Sequence, residues 1–230
     1  MTLFVKSLFV AAAFSLLGTT EEKVATLSDQ SKVLYHLSDD KKLDGAYSIS
    51  TTEDKLLLRG LYKNNERSGN WFCFNPDGTV FMRYNYDLKK VVALDSKAIS
   101  RAKIDIQSTD ETVKTEASVP VPICSVEQYI SLIGVEFERQ IMRENKSAEG
   151  LLEADLVASI DKDGNATYSA NYEAAGIIMK KKIKLNDKLF NIEWIPASYK
   201  GEKLGSTFTV RMAAQLGSDP RKRQRFTWAF

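Results

Sequence analysis

Between Val33 and Val92 the chain breaks every few residues at a turn-forming cluster, and the runs between the breaks are too short for helices. The runs cover residues 33 to 37, 47 to 50, 55 to 62, 70 to 75 and 80 to 86. Asn75-Pro76-Asp77-Gly78 is the sharpest turn signal, because proline sets φ for a type I turn and glycine accepts the positive φ that follows. After it, Val80, Met82, Tyr84 and Tyr86 alternate with Phe81, Arg83 and Asn85, which predicts a strand with one apolar face. On the strand before it, Trp71 and Cys73 oppose Phe72 and Phe74, so cover on both sides is expected. Residues 33–92 are therefore read as an antiparallel β-sheet.

The second half begins after a polar connector, residues 93–119, that holds one short strand candidate at Lys103 to Gln107. Pro120 and Pro122 force an extended approach, and Ser125 with Gln128 three positions later spells a capping box. Val126, Tyr129, Ile130, Ile133, Phe137 and Ile141 then fall on one stripe of a helix of about five turns. Leu152 to Ile160 and Ala166 to Tyr172 alternate on either side of Asp161-Lys162-Asp163-Gly164-Asn165, which predicts a hairpin. That turn lacks the glycine and glutamate spacing of a calcium-binding EF-hand loop and reads as a plain turn. A second helix is expected over Ile177 to Leu189, with Lys180, Lys181, Lys182 and Lys184 solvated, followed by a strand through Leu204, Phe208, Val210 and Met212. The fold class expected is α+β.

Composition narrows the functions. At 43% apolar, 27% charged and 10% aromatic the chain has too many aromatics for disorder and too many charges for a membrane bundle. Arg221, Lys222, Arg223 and Arg225 against Asp219 leave +3 in residues 217–230, so with +2 overall the remainder carries −1. Such a body cannot coat a phosphate backbone, and no nucleic-acid partner is expected. Cys73 and Cys124 are compatible with one disulfide or with two buried thiols. One histidine, His36, and no Cys-x-x-Cys leave no zinc ligand set, and no cofactor is expected. Gly-x-Ser-x-Gly, phosphate-loop and His-Glu-x-x-His patterns are missing, so no catalytic residues are assigned.

At the N-terminus, Lys6 precedes the apolar run Ser7 to Gly18, and polar residues follow from Thr19. Residues 1–20 read as a secretory signal, because the run is shorter than the ~20 residues that a membrane-crossing helix needs; an uncleaved anchor is the alternative, since no Ala-x-Ala cleavage site stands near Gly18 to Thr20. No stable membrane span is expected, and the mature chain is placed in the periplasm or outside the cell.

Two resemblances sharpen this reading. Gly60-x-Tyr62, a short turn, then Gly69-x-Trp71 with Phe74 and Gly78 resembles the MORN-type hairpin repeat in its YwqK variant, and Asp44-Gly45-Ala46-Tyr47 looks like a degenerate earlier copy. Ile160 to Gly164, Trp194-x-Pro196-Ala197, and Gly201 to Gly205 leading into Ser206 to Met212 are similar to the C-terminal domain of the TonB family. That likeness covers residues 120–216 and implies a helix, hairpin, helix, strand order. It also implies a non-enzymatic module whose exposed strand pairs with an extended peptide, in that family from an outer-membrane transporter. Phe208, Val210 and Met212 are the candidates for the partner-strand edge, and Trp194 is expected to be a core aromatic. The chain departs from a full TonB protein in lacking a Pro-rich spacer.

The reading is a secreted, non-catalytic adaptor of the bacterial envelope with a protein or peptide partner. The alternative is a cell-wall or anionic-polymer binding module that uses Arg221, Lys222, Arg223, Arg225 and Trp228 in the basic, aromatic tail of residues 217–230.

Overall fold

A computed structural model of the chain describes residues 20–185 and 188–216; the leader, except Thr20, and the 217–230 tail lie outside the described residues. The fold is α+β and rich in antiparallel strands. Seven strands, β1 (Glu21–Thr26), β2 (Lys32–Leu37), β3 (Leu43–Ser50), β4 (Leu56–Lys63), β5 (Glu66–Phe74), β6 (Val80–Asn85) and β7 (Lys90–Leu94), form a meander in which every strand pairs with the next. A second sheet has five strands in the order β12-β11-β10-β16-β8, from β8 (Lys103–Ile106), β10 (Gly150–Ile160), β11 (Ala166–Ala174), β12 (Ile177–Ile183) and β16 (Ser206–Leu216). Helices α1 (Ser96–Ile99), α2 (Glu111–Glu116) and α3 (Val126–Glu144) and the short strands β9 (Val121–Pro122), β13 (Trp194–Ile195), β14 (Ala197–Tyr199) and β15 (Glu202–Leu204) complete the chain.

The turns explain the meander. Gly78 has φ +84° and its N–H donates to the Asn75 carbonyl, while the Asp77 carboxylate accepts from the Thr79 N–H, as the Asn75 to Gly78 signal predicts. Asn64 and Asn65 both adopt positive φ between β4 and β5, a conformation that asparagine tolerates and that matches strand twist. The Phe81 prediction needs correction. Cys73 pairs with Met82 but Phe74 pairs with Val80, so Phe81 is the extra residue of a bulge and is fully buried beside Met82. Phe72 and Phe74 are only half-buried, under the Arg59 guanidinium, so a side chain rather than a second layer covers that face.

Helix α3 sits between the sheets. Its N-cap Ser125 accepts from the Gln128 N–H at 3.1 Å, as expected, but the return bond of the capping box is not made and the Gln128 amide is buried. One side of α3 packs on the five-stranded sheet, through Tyr129 on Phe208 and Phe137 on Tyr172. The other meets the meander's turns, where Arg139 donates to the Ser28 carbonyl at 2.9 Å. Buried residues from both sheets and α3 make one contiguous cluster.

Two elements differ from expectation and one bears it out. The second helix predicted over Ile177 to Leu189 is instead β12, because Ala175 and Gly176 take positive φ and turn the chain straight back onto β11. Strand β1 lies in a stretch given no structure, since only Val24 and Ala25 in it are apolar. The strand expected at Lys103 to Gln107 in the connector is present as β8, whose Ile104 and Ile106 pair with Phe208 and Ser206.

Candidate functional site

The margins of the five-stranded sheet are built unequally. Strand β10 runs beside β16 from Gly150 to Ile160 without interruption, whereas β8 covers only Ser206 to Thr209. From Val210 to Leu216 the β16 main chain therefore has a single strand neighbour among the described residues. The side chains of Phe208, Val210 and Met212 point the other way, into the core beneath α3, and all three are buried. Contact at that margin would run through the main chain and not through these side chains. Arg221, Lys222, Arg223, Arg225 and Trp228 lie outside the described residues.

The opposite margin is β12, which pairs with β11 on one side and has no strand on the other among the described residues. Its inward positions are Ile177, Met179, Lys181 and Ile183, set by their register against Ala174, Tyr172, Ala170 and Tyr168. Ile183 reaches the core, and Lys181 forms an ion pair with Glu144 at the end of α3. Toward the hairpin tip the cover runs out: Ile177 is 62% exposed, Ile178 81% and Met179 44%. Lys180, Lys182 and Lys184 are exposed beside them. Natural sheets guard free margins with lysine, and the second half of β12 obeys that rule while its first half does not. Sequence reading missed this because the lysine run suggests a solvated helix face; the signal was three successive apolar residues directly after Ala175-Gly176.

The other distinctive residues are structural. The Trp194 indole donates to the Tyr168 hydroxyl at 3.1 Å and sits edge-on to Tyr129 and Phe208, in the core position expected of it. The Asp161 carboxylate accepts from the Asp163 and Asn165 backbones and the Asn165 amide, bonds that hold its pKa below the usual range, the last most strongly. Gly164 of the same turn lies so close to the Trp194 carbonyl that a side chain there would collide with it. His36 Nδ1 donates to the Ala46 carbonyl at 2.9 Å, a main-chain bond within the meander. Cys73 and Cys124 are free and fully buried, and burial raises both thiol pKa values, that of Cys73 to about 12.

Where the meander meets the loop after β12, Arg67 is 94% shielded at its side chain and donates to the hydroxyls of Tyr62 and Tyr86 and to the Asn191 carbonyl, with Glu193 at 3.4 Å. Burial alone would lower its pKa, but Tyr86, Tyr62 and Glu193 hold it above the ordinary arginine value. Its guanidinium lies 4.3 Å from the Trp71 ring centre. The cluster ties two parts of the fold together and uses its polar groups internally. Among the described residues no group of three or more metal-ligating side chains converges, and no helix is long and apolar enough to cross a membrane. Comparison of the chain with protein-family models, with curated proteins and with solved structures finds no match.

Proposed function

We propose that the protein is an exported, non-catalytic adaptor of the bacterial envelope, with a MORN-like meander joined to a TonB-C-like module, and that it binds an extended segment of a partner protein along β12. The reading rests on one observation: a sheet margin without a second strand neighbour among the described residues, whose first half presents Ile177, Ile178 and Met179 to solvent and whose second half, with the residue just after it, presents Lys180, Lys182 and Lys184. A strand added there gains main-chain hydrogen bonds, covers the apolar tip and meets positive charge. The partner segment is accordingly extended, apolar at one end and acidic at the other; an outer-membrane transporter is one protein class that could supply it. The strand-beside-helix order of residues 120–216 supports the TonB-like likeness, and β12 in place of a second helix is a departure from it.

The test uses fluorescent peptides with a valine-rich half and a glutamate-rich half, in both orders along the chain. Salt-sensitive binding is expected, with new amide-exchange protection confined to β12, and Ile178→Glu should abolish it while Val24→Glu on β1 leaves it intact. Protection elsewhere, or equal loss in both variants, would remove β12 from the reading. Export is tested separately by fractionation, and recovery only from cytosol with residues 1–18 intact would defeat it.

A further inference from the structure

Turns at one end of the meander close over the first turns of α3 and bound a cavity of about 670 Å³. Leu56, Leu57, Phe74 and Val135 give it an apolar wall, and Asp29, Glu53, Asp77 and Glu127 outnumber Lys55 around it. Gln128 lines it at 1% exposure, and neither its Oε1 nor its Nε2 has a hydrogen-bond partner among the described residues. Asn75 Oδ1 and Glu127 Oε2, from two other lining residues, are unpaired as well. Of the seven buried side-chain atoms left unpaired among the described residues, four belong to these three, so the deficit is concentrated here. The other arms of the same groups are used: Glu127 Oε1 faces Arg101 at 3.3 Å, and Asn75 Nδ2 donates to Thr79 and Asp95. Burial raises the Glu127 pKa, as a carboxylate short of partners should show.

The unpaired set is three acceptors and one donor, which names the chemistry that complements it. A primary ammonium carries three donors and no acceptor. A helix N-terminus by itself favours anions, but Glu127 in the first turn of α3 and the surrounding carboxylates reverse that preference. We propose that this cavity is a binding site for a primary amine carried on an apolar body, with the ammonium taken by Glu127, Asn75 and Gln128 and the body laid against Leu57 and Phe74. The acceptors are shielded from bulk water, so the ion exchanges its hydration shell for charge-assisted hydrogen bonds. This site is independent of the β12 margin.

The experiment is calorimetric titration of the full chain with phenethylamine, with 2-phenylethanol as the neutral counterpart and acetyl-Phe-Lys-amide as a peptide-borne amine. Saturable amine binding is expected, about tenfold or more tighter than the alcohol. Tighter binding of phenethylamine assigns the site to free amines, and tighter binding of the peptide assigns it to a lysine side chain of another protein. Glu127→Gln and Gln128→Met should each weaken the amine by about tenfold, and Gln128→Met should unfold no earlier than the parent because it removes a buried unpaired amide. Absence of saturation up to about 20 mM amine, a concentration that detects even millimolar affinity, would overturn the proposal. Equal binding of amine and alcohol, or undiminished binding in both folded variants, would overturn it as well.

Discussion

Gly60 on β4 lies flat against the indole of Trp71 on β5, so closely that a Cβ at Gly60 would overlap the ring. Tyr47 and Tyr62 pack around the same indole, with centres 5.6 and 5.2 Å away, and its N–H donates to the Leu61 carbonyl. This contact is the physical content of the Gly-x-Tyr and Gly-x-Trp spacing: one strand leaves a gap that the aromatic of the next one fills.

Gly60→Ala should therefore destabilise the protein by about 3 kcal/mol, because the backbone and a fully buried ring compete for one volume. Gly69→Ala, where an added Cβ meets nothing, should act only through its positive φ and lose about 1 kcal/mol. Urea unfolding followed by tryptophan fluorescence separates the two.

Arg67 and Glu193 form an asymmetric pair, since the arginine side chain is 6% exposed and the glutamate 46%. Arg67→Ala strips partners from Tyr62, Tyr86 and the Asn191 carbonyl together and should cost about 3 kcal/mol or more. Glu193→Gln loses a half-solvated charge and should cost about 1 kcal/mol or less. A double-mutant cycle by chemical denaturation reads the coupling.

Which parts of this fold a sequence can display follows from how local their causes are. The Asn75 to Gly78 turn, the Ser125 cap and the alternation of Leu152 to Ile160 each rest on neighbouring residues, and each is found where the pattern places it. The bulge at Phe81 is not local, because it depends on a register against β5 that shifts after Cys73. Strand β8 is a mixed case: its own alternation is local and marks the strand, but its partner β16, about a hundred residues downstream, is not. The candidate margin was hidden for a related reason. Ile177 to Ile183 alternates faces only once Ala175-Gly176 is known to reverse the chain, and four nearby lysines blur the period. The alternation of Phe208, Val210 and Met212 is visible in the sequence, and the TonB resemblance offers them as a partner-strand edge, but that α3 covers and buries them is decided by packing.

The Ala175 prediction tests that turn directly. An alanine at φ +51° sits in the left-handed region without the freedom of glycine. Ala175→Gly should stabilise the protein by about 0.5–1 kcal/mol, and Ala175→Val should destabilise it by more than that, measured as shifts in unfolding midpoint.

The two thiols make the last prediction. Cys73 and Cys124 are fully buried, and burial pushes the Cys73 pKa up to about 12. A thiol reagent at pH 8 should leave both unmodified in the native protein and label both once urea unfolds it, because only an accessible thiolate reacts. The linkage has a definite sign. Above the unfolded thiol pKa of about 8.5 the unfolded chain releases these protons while the folded chain retains them, so the unfolded state binds fewer protons and stability falls as pH rises. The fall continues toward pH 12, where the folded Cys73 thiol itself begins to ionise. Cys73→Ala with Cys124→Ala should flatten that part of the stability profile while lowering its overall level, because each substitution also removes buried sulfur from the core.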